Sequence, residues 1–512
     1  MKLNDLIVPL TLAFLVSLGI QYYIANRPDS HNATEIVSGQ SFTAAPREAL
    51  TAKPLNKEIN FLDQKTPLVP TLEHVETDNA IYTFSTVTGS LEQFTFKRKY
   101  HGGADLINTL IAQDNRNELK AFLLAFDSNT PLEYVLKNKI ENQDTTELVY
   151  KADFEGGSVT KSFVVNHNNF RIDLRITVEP KAGSVVTPRL FFPSPEVKGL
   201  KDDAVFAIMN NEKNALVTEA GNKLADQQGW FAPTLFGTQD RYFVHAMISN
   251  PDDFVKRAYY KFNGLQQLVT ILEGPSIDKE TSWSLSFYMG PKEGGALSAV
   301  DPRLEKTLGF SGVLAPLSKV LLAILNFFYK YLKNYGLAII ALTLSLNLIV
   351  LPLRRRGNEQ MKKTAELQKK LAYVQQRYKN DPEALAREKA ELIRKYGTGL
   401  GGCLPNLILL PVFFALSPVL SHAIELYKAP FTWWIQDLSA KDPYYVLPII
   451  IIIAFCLRAL LAEPNQRLSM LAVALIFGAI STNLSAGLSL YILVGVLMDL
   501  RTNIPKKKVK VA

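Results

Sequence analysis

The sequence predicts a mixed fold: a polytopic α-helical membrane domain joined to a large all-β sandwich outside the membrane. Three observations predict it. Apolar residues alternate with polar ones from about residue 59 to 295, the period of half-buried strands. Long apolar runs then crowd residues 335 to 500. A dense block of charge interrupts those runs between Arg354 and Lys395, with thirteen Lys/Arg against six Asp/Glu. The chain has 512 residues, is 47% hydrophobic and carries a formal charge of +8, and that average hides the split. A single soluble domain does not have this layout.

The elements follow in chain order. Leu6–Ala25 is an apolar stretch broken by Ser17 and Gln21, behind a short tail with Lys2. It is long for a cleaved signal peptide and no clear small-x-small site precedes Arg27, so residues 1–26 read as an uncleaved transmembrane anchor. Residues 27–58 are rich in Ser, Thr, Asn, Ala and Pro without apolar period and read as a flexible linker. Residues 59–300 hold the sandwich. Stretches such as "GSVTKSFVVNHNNFRIDLRITVEP" alternate cleanly, are rich in Val, Thr, Phe and Tyr, and are punctuated by Gly and Asn/Asp. One helical piece is expected near Asp105–Asp127. Cys403 and Cys456 are the only cysteines and both lie in the apolar third, so the sandwich has no disulfide framework and its own core must hold it.

At residues 301–334 the period changes. In Pro316–Asn334 the polar residues Lys319, Asn326, Lys330 and Lys333 fall at spacings of seven, four and three, on one helical face. Leu317, Val320, Leu321, Ile324, Phe328 and Tyr331 take the other. This is the pattern of an amphipathic helix lying in the membrane surface, and two lysines inside it count against a span. Five spans follow at about Tyr335–Leu353, Leu404–Ala423, Tyr445–Leu461, Leu468–Asn483 and Leu488–Leu500. Several are shorter than the roughly 20 residues a helix needs to cross the hydrocarbon, which implies a thinned bilayer or tolerated polar ends.

Charge sets the topology. Arg354, Arg355 and Arg356 end the first of these spans, and the tail 501–512 carries Arg501, Lys506, Lys507, Lys508 and Lys510. Basic loops stay on the cytoplasmic side, so both segments and both termini belong inside and the sandwich outside. Residues 354–402 form a helical hairpin on this reading. Leu367, Leu371, Val374 and Tyr378 make one seam, Leu385, Leu392 and Tyr396 the other, and Asp381 caps a second helix that starts at Pro382. Its basic faces suit a solvated pair, anionic lipid or ribosomal RNA alike.

Two other signals carry no chemistry. Gly397, Gly399 and Gly402 in "GTGLGG" satisfy a dinucleotide pattern, but they follow a charged helix and not a strand. The six histidines are scattered and none pairs with a cysteine at metal-ligand spacing, so neither a metal nor a cofactor is expected.

"YGTGLGGCLPNLILLPVFFAL" and "APFTWWIQDLSAKDPYYVLPI" resemble the YidC-type membrane protein insertases. The order of anchor, external β domain, surface helix, span, charged hairpin, four spans and basic tail is similar too. The resemblance implies the Gram-negative form with its large periplasmic domain, and a five-helix core in the inner membrane enclosing a hydrophilic groove closed toward the outside. It implies nascent membrane proteins as substrates, acting alone or with the Sec translocon, with ribosome and signal-recognition components and anionic lipids as further partners, and no DNA.

Aligned on "LPLR", Asn347 stands where the resemblance predicts a groove arginine. Thr343, one turn earlier, fits the groove's polar position and shares its helix face with Asn347. Tyr491 matches a groove tyrosine on the last span, and the next residue, often another tyrosine, is Ile492. Three readings of Asn347 stay open: a helix–helix hydrogen bond, a wet groove without fixed charge, or a groove whose charge has moved to Arg458 on the fourth span. The expected mechanism is solvation with no bond broken, hence no enzyme. A secondary transporter is the alternative, but it calls for paired broken helices and central acidic sites that the spans lack. A membrane-anchored periplasmic carbohydrate-binding protein leaves the five spans without a use.

Overall fold

The computed structural model describes residues 71–503 except 98–106, 112–119, 127–131, 196–204, 212, 222–223, 225–228, 263–266, 311–313, 380, 397–408 and 462–463. The expected anchor, the linker, the "GTGLGG" turn and the tail beyond Asn503 lie outside the described residues. The chain divides into two compact units, a β unit that runs to Ser311 and takes in His422–Glu425, and a helical unit that includes Gly312–Ser421 and Leu426–Ala512.

The strands of the β unit are β1 (Leu72–Glu76), β2 (Ala80–Ser85), β3 (Ser90–Phe96), β4 (Ile107–Ile111), β5 (Leu123–Ala125), β6 (Val135–Glu141), β7 (Thr145–Phe154), β8 (Gly157–Asn166), β9 (Arg171–Pro180), β10 (Arg189–Pro193), β11 (Phe206–Asn210), β12 (Leu216–Ala220), β13 (Gly229–Phe231), β14 (Phe236–Gln239), β15 (Phe243–Ser249), β16 (Arg257–Phe262), β17 (Leu268–Glu273) and β18 (Thr281–Pro291). They make three sheets, in the orders β1-β2-β3-β4, β13-β16-β17-β10-β5 and β12-β11-β14-β15-β18-β9-β8-β7-β6. The alternation seen in the sequence sets the register. Val159, Lys161, Phe163 and Val165 of β8 and Ile172, Leu174, Ile176 and Val178 of β9 are buried together, while the residues alternating with them are more exposed. Within the stretch near Asp105–Asp127 where a helix is expected, Ile107–Ile111 and Leu123–Ala125 are the strands β4 and β5, and 112–119 lies outside the described residues. Thr109 and Leu110, adjacent in β4, are both buried, so the run shows no strand alternation and its apolar spacing resembles a helix.

A few polar side chains bind these sheets together. Lys161 lies in the apolar stripe of β8 and is fully buried; its amine donates to the carbonyls of Thr88, Gly89 and Phe122 and sits 4.1 Å over the Tyr134 ring. Burial pushes that amine well below the usual lysine range. His245 on β15 spans all three sheets. Its Nδ1 donates to Pro193 O of β10 at 3.1 Å, which leaves Nε2 to accept from Thr109 Oγ1 of β4 at 3.3 Å. Burial lowers this imidazole to about 4, so it is neutral at physiological pH. A short helix, α1 (Gly294–Val300), and a 3-10 turn over Pro302–Leu308 complete the unit.

The helical unit contains α2 (Ala315–Leu332), α3 (Tyr335–Arg377), α4 (Pro382–Tyr396), α5 (Leu409–His422), α6 (Val446–Leu461), α7 (Pro464–Ser481) and α8 (Ala486–Asn503). Among the described residues Tyr335–Pro352 is the stretch long and apolar enough to cross a membrane; Pro411–His422, Val446–Leu461 and Ala486–Leu500 are apolar but shorter. The first span does not stop at the arginines. One helix of 43 residues runs from Tyr335 through Pro352 and Arg354–Arg356 to Arg377. Pro352 only withholds the amide that would bond the Leu348 carbonyl, and that turn is exposed. Asp381 then caps α4 by accepting from Ala384 N at 3.1 Å, and α4 packs back on α3.

The surface of α2 differs from the sequence expectation. Its inward stripe is Ser318, Leu321 and Leu325, with Ser318 Oγ donating to Ala415 O of α5 at 2.8 Å. Val320, Phe327 and Tyr331 stand on the exposed side instead. Large apolar residues occupy both sides of this helix, and the small Ser318 selects which side packs.

Candidate functional site

The site is built on the inward face of α3. Asn334 caps that helix by accepting from Leu337 N at 3.0 Å, after Lys333 turns the chain with φ of 54°. Ile339, Leu342, Thr343 and Asn347 then fall on one side and are buried, while Leu344, Leu348 and Ile349 fall on the other and are exposed. Thr343 Oγ1 donates to Ile339 O at 2.7 Å. Asn347 Nδ2 donates to Thr343 O at 2.7 Å. Each polar group thus folds back on its own helix, and one atom is left over. Asn347 Oδ1 is buried and accepts no hydrogen bond. An orphan acceptor in an apolar interior costs about 1–3 kcal/mol.

The helix α8 packs against both α3 and α6. It carries Tyr491, 9% exposed, and Ile492 beside it. The structure therefore joins Thr343 to Asn347 directly and brings Tyr491 onto a helix in contact with theirs. Arg458 is placed differently. Its Nη1 lies 3.2 Å from Asp499 Oδ2 of α8, with the two side chains 26% and 21% exposed. Sequence reading missed Asp499, which sits about two turns beyond Tyr491 in "MDLR" and 41 residues from its partner. Arg354–Arg356 are in the helical backbone of α3, and their side chains lie outside the described residues.

This ion pair ties the C-terminal ends of α6 and α8. Partial exposure screens it, so either R458Q or D499N alone is expected to cost about 1–2 kcal/mol, with the double variant costing less than the sum. Thermal unfolding of the four chains in lipid nanodiscs checks this; strict additivity would mean that the pair contributes nothing.

The opposite end of the bundle is closed by the stretch Tyr427–Tyr445. Asn334 Nδ2 donates to Phe431 O at 3.3 Å, Gly487 N to Leu438 O at 2.8 Å and Ala486 N to Ala440 O at 2.7 Å. Lys441 Nζ reaches Asn483 Oδ1 at 3.2 Å. The aspartates of "DLSAKD" hold the backbone: Asp437 accepts from Ser439 N, and Asp442 accepts from Leu447 N at 2.7 Å to start α6. Phe431 lies over Gly336, where a Cβ would come within 1.9 Å of the ring. The entry to α3 needs a glycine for that reason.

Two family models match the chain: "60Kd inner membrane protein" over residues 327–510 and "YidC periplasmic domain" over 73–324. A membrane protein insertase YidC from Geobacter metallireducens is 32% identical over 446 residues, covering 82% of each chain. This chain belongs to the YidC family. A second relative, from Geotalea daltonii, is 29% identical over 493 residues, covering 90% of this chain and 92% of its own. A crystal structure of an active YidC insertase with its first transmembrane domain resolved is 20% identical, covers 87% of this chain and 96% of its own, and superposes with a TM-score of 0.38. As a YidC protein the chain is a membrane protein insertase of the inner membrane, with a periplasmic domain and nascent membrane proteins as substrates, and it is not an enzyme.

Proposed function

We propose that insertion proceeds by solvation on the α3–α8 face. The polar flank of a nascent chain must pass roughly 30 Å of hydrocarbon, and each bare backbone group there costs several kcal/mol. Thr343, Asn347 and Tyr491 line a wet recess that shortens this path, and the apolar part of the cargo leaves sideways into lipid. The short apolar helices α5, α6 and α8 thin the bilayer around it. The Tyr427–Tyr445 stretch forms the outer floor of the recess. The observation that carries this reading is the buried, unpartnered Asn347 Oδ1, an acceptor suited to water or to a passing amide. The Arg458–Asp499 pair leaves the arginine charge already neutralised, which favours a recess without fixed charge over one whose charge has moved to Arg458.

The finer layout belongs to the same proposal. Residues 1–26 anchor the chain, 27–58 link it to the periplasmic domain 59–300, and 301–334 form a linker and interfacial helix. Residues 335–353 and 403–500 cross the membrane, 354–402 form a cytoplasmic hairpin, and 501–512 a cytoplasmic tail. Both termini face the cytoplasm because the basic segments do. Arg354, Arg355 and Arg356 hold the inner end of α3 against anionic lipid, and the basic hairpin offers contacts for the ribosome and signal-recognition components. Cargo arrives either directly or from the Sec translocon.

Asn347→Leu removes the acceptor and fills its place with hydrocarbon. In a vesicle insertion assay it is expected to lower insertion of cargo with charged translocated tails about three- to tenfold, a barrier change of about 0.6–1.4 kcal/mol, and to leave purely apolar cargo near wild type. Equal loss for both, or none, would remove the wet recess from the account.

A further inference from the structure

The five-stranded sheet carries a charged row that insertion does not use. Arg257, Glu273 and Arg189 are direct cross-strand partners on β16, β17 and β10, so their side chains leave the same face. Arg257 takes the glutamate: its Nη2 donates to both carboxylate oxygens, at 3.1 and 3.3 Å. Arg189 is left with Glu273 Oε2 at 3.9 Å from its Nε, beyond hydrogen-bond reach. Arg189 is 3% exposed, and neither its Nε nor its Nη2 has a partner in the protein. Those two N–H groups share one edge of the guanidinium, the edge that takes both oxygens of a carboxylate.

The surroundings make this edge costly to leave bare. Arg257 engages the Glu273 carboxylate, and the Arg189 Nε and Nη2 are left without a hydrogen-bonded partner. The next row on the same face is Tyr259, Ile271, Phe191 and Leu123, and the last three are buried members of one apolar cluster. An unpaired buried charge in such a place costs several kcal/mol. The row also lies at the end of the sheet. Arg257 begins β16, Arg189 begins β10 and Glu273 ends β17, beside the exposed Lys256, whose amide donates to Glu273 O at 2.9 Å.

We propose that the Arg189 edge is a binding site for a small carboxylate, entering from this end of the sheet. One negative charge neutralises the Arg189 guanidinium, and two coplanar oxygens match Nε and Nη2. Phosphate carries more negative charge at neutral pH than the single guanidinium charge it would meet. The site is independent of the insertion mechanism.

The test is hydrogen exchange at the amides of β10 and β17 in the full chain, in detergent micelles at fixed pH and ionic strength, with sodium acetate replacing sodium chloride. Acetate at ten times its dissociation constant is expected to slow exchange there about tenfold, with saturation. R189K keeps the charge but loses the two-pronged edge, and its exchange is expected not to respond; R171K, on an exposed pair, is expected to respond as wild type. No difference between acetate and chloride in the wild-type protein would overturn the proposal, whether or not R189K folds. So would phosphate protecting as well as acetate, or R189K protected like wild type.

Discussion

Gly336→Ala unseats the floor of the bundle and is expected to cost about 3 kcal/mol, at the upper end of overpacking in a well-filled interior. The added methyl would lie 1.9 Å from Phe431 Cδ2, 2.3 Å from Cγ and 2.8 Å from Cβ. The last two are near the root of the side chain, so rotating the ring does not clear the overlap. The Phe431 backbone has to move, and with it the carbonyl that accepts from Asn334 Nδ2 at the cap of α3. Exchange of the Leu438 amide, which donates to Ala429 O at 3.0 Å, should rise in parallel. Phe431→Ala removes most of the collision, so the double variant is expected to cost at least about 1 kcal/mol less than the sum of the singles. Unlike Asn347→Leu, Gly336→Ala should depress insertion of charged-tail and apolar cargo alike, because it opens the floor and leaves the polarity of the wall unchanged. Additive stabilities, or a loss confined to charged-tail cargo, would contradict this.

Acid loosens the periplasmic unit at His245. Its folded value of about 4 lies below the ordinary imidazole value of 6.5 because the ring is buried between three sheets. The unfolded chain therefore binds a proton that the folded chain refuses. The His245 contribution is complete above pH 6.5 and is lost as pH drops through the window from 6.5 to 4, by about 3 kcal/mol in all. Lys161 adds a slope of the same sign at higher pH, since its amine is also held below its unfolded value. Protonation at His245 puts a charge on a fully buried ring that touches β4 and β10, so β4, β10 and β15 should loosen together. Hydrogen exchange of β4, β10 and β15 in the full chain at pH 7 and pH 4.5 is the measurement, with H245Q losing most of the pH dependence. Equal exchange at the two pH values in the wild-type chain would contradict it.

The local layers of this fold are legible in the chain. Alternation announces β7, β8 and β9 because one face of each is buried and one is wet. The spacing of four between Thr343 and Asn347 announces a shared helix face, and Asp381-Pro382 announces the start of α4. What escapes depends on partners far away in sequence. Thr109 and Leu110 are buried on opposite faces of β4, which erases the period that would name a strand. Arg458 reads as a lone charge until α7 returns the chain and sets Asp499 beside it. Gly336 looks unremarkable until Phe431 covers it, and the orphan oxygen of Asn347 exists only once its amide nitrogen has taken Thr343 O. Composition marks an inward polar face; only packing shows which of its atoms go unpaired.

Water at that face is the claim on which the insertion mechanism stands. Single cysteines at positions 343, 347 and 491, in a chain with Cys403 and Cys456 replaced by serine, can be exposed to a charged, membrane-impermeant maleimide in inverted vesicles. Reaction at 347 and 491 within a few-fold of a cysteine in the α3–α4 turn is the expected result. All three positions inert while the turn reacts fully would mean a dry, packed interior and no recess to solvate cargo.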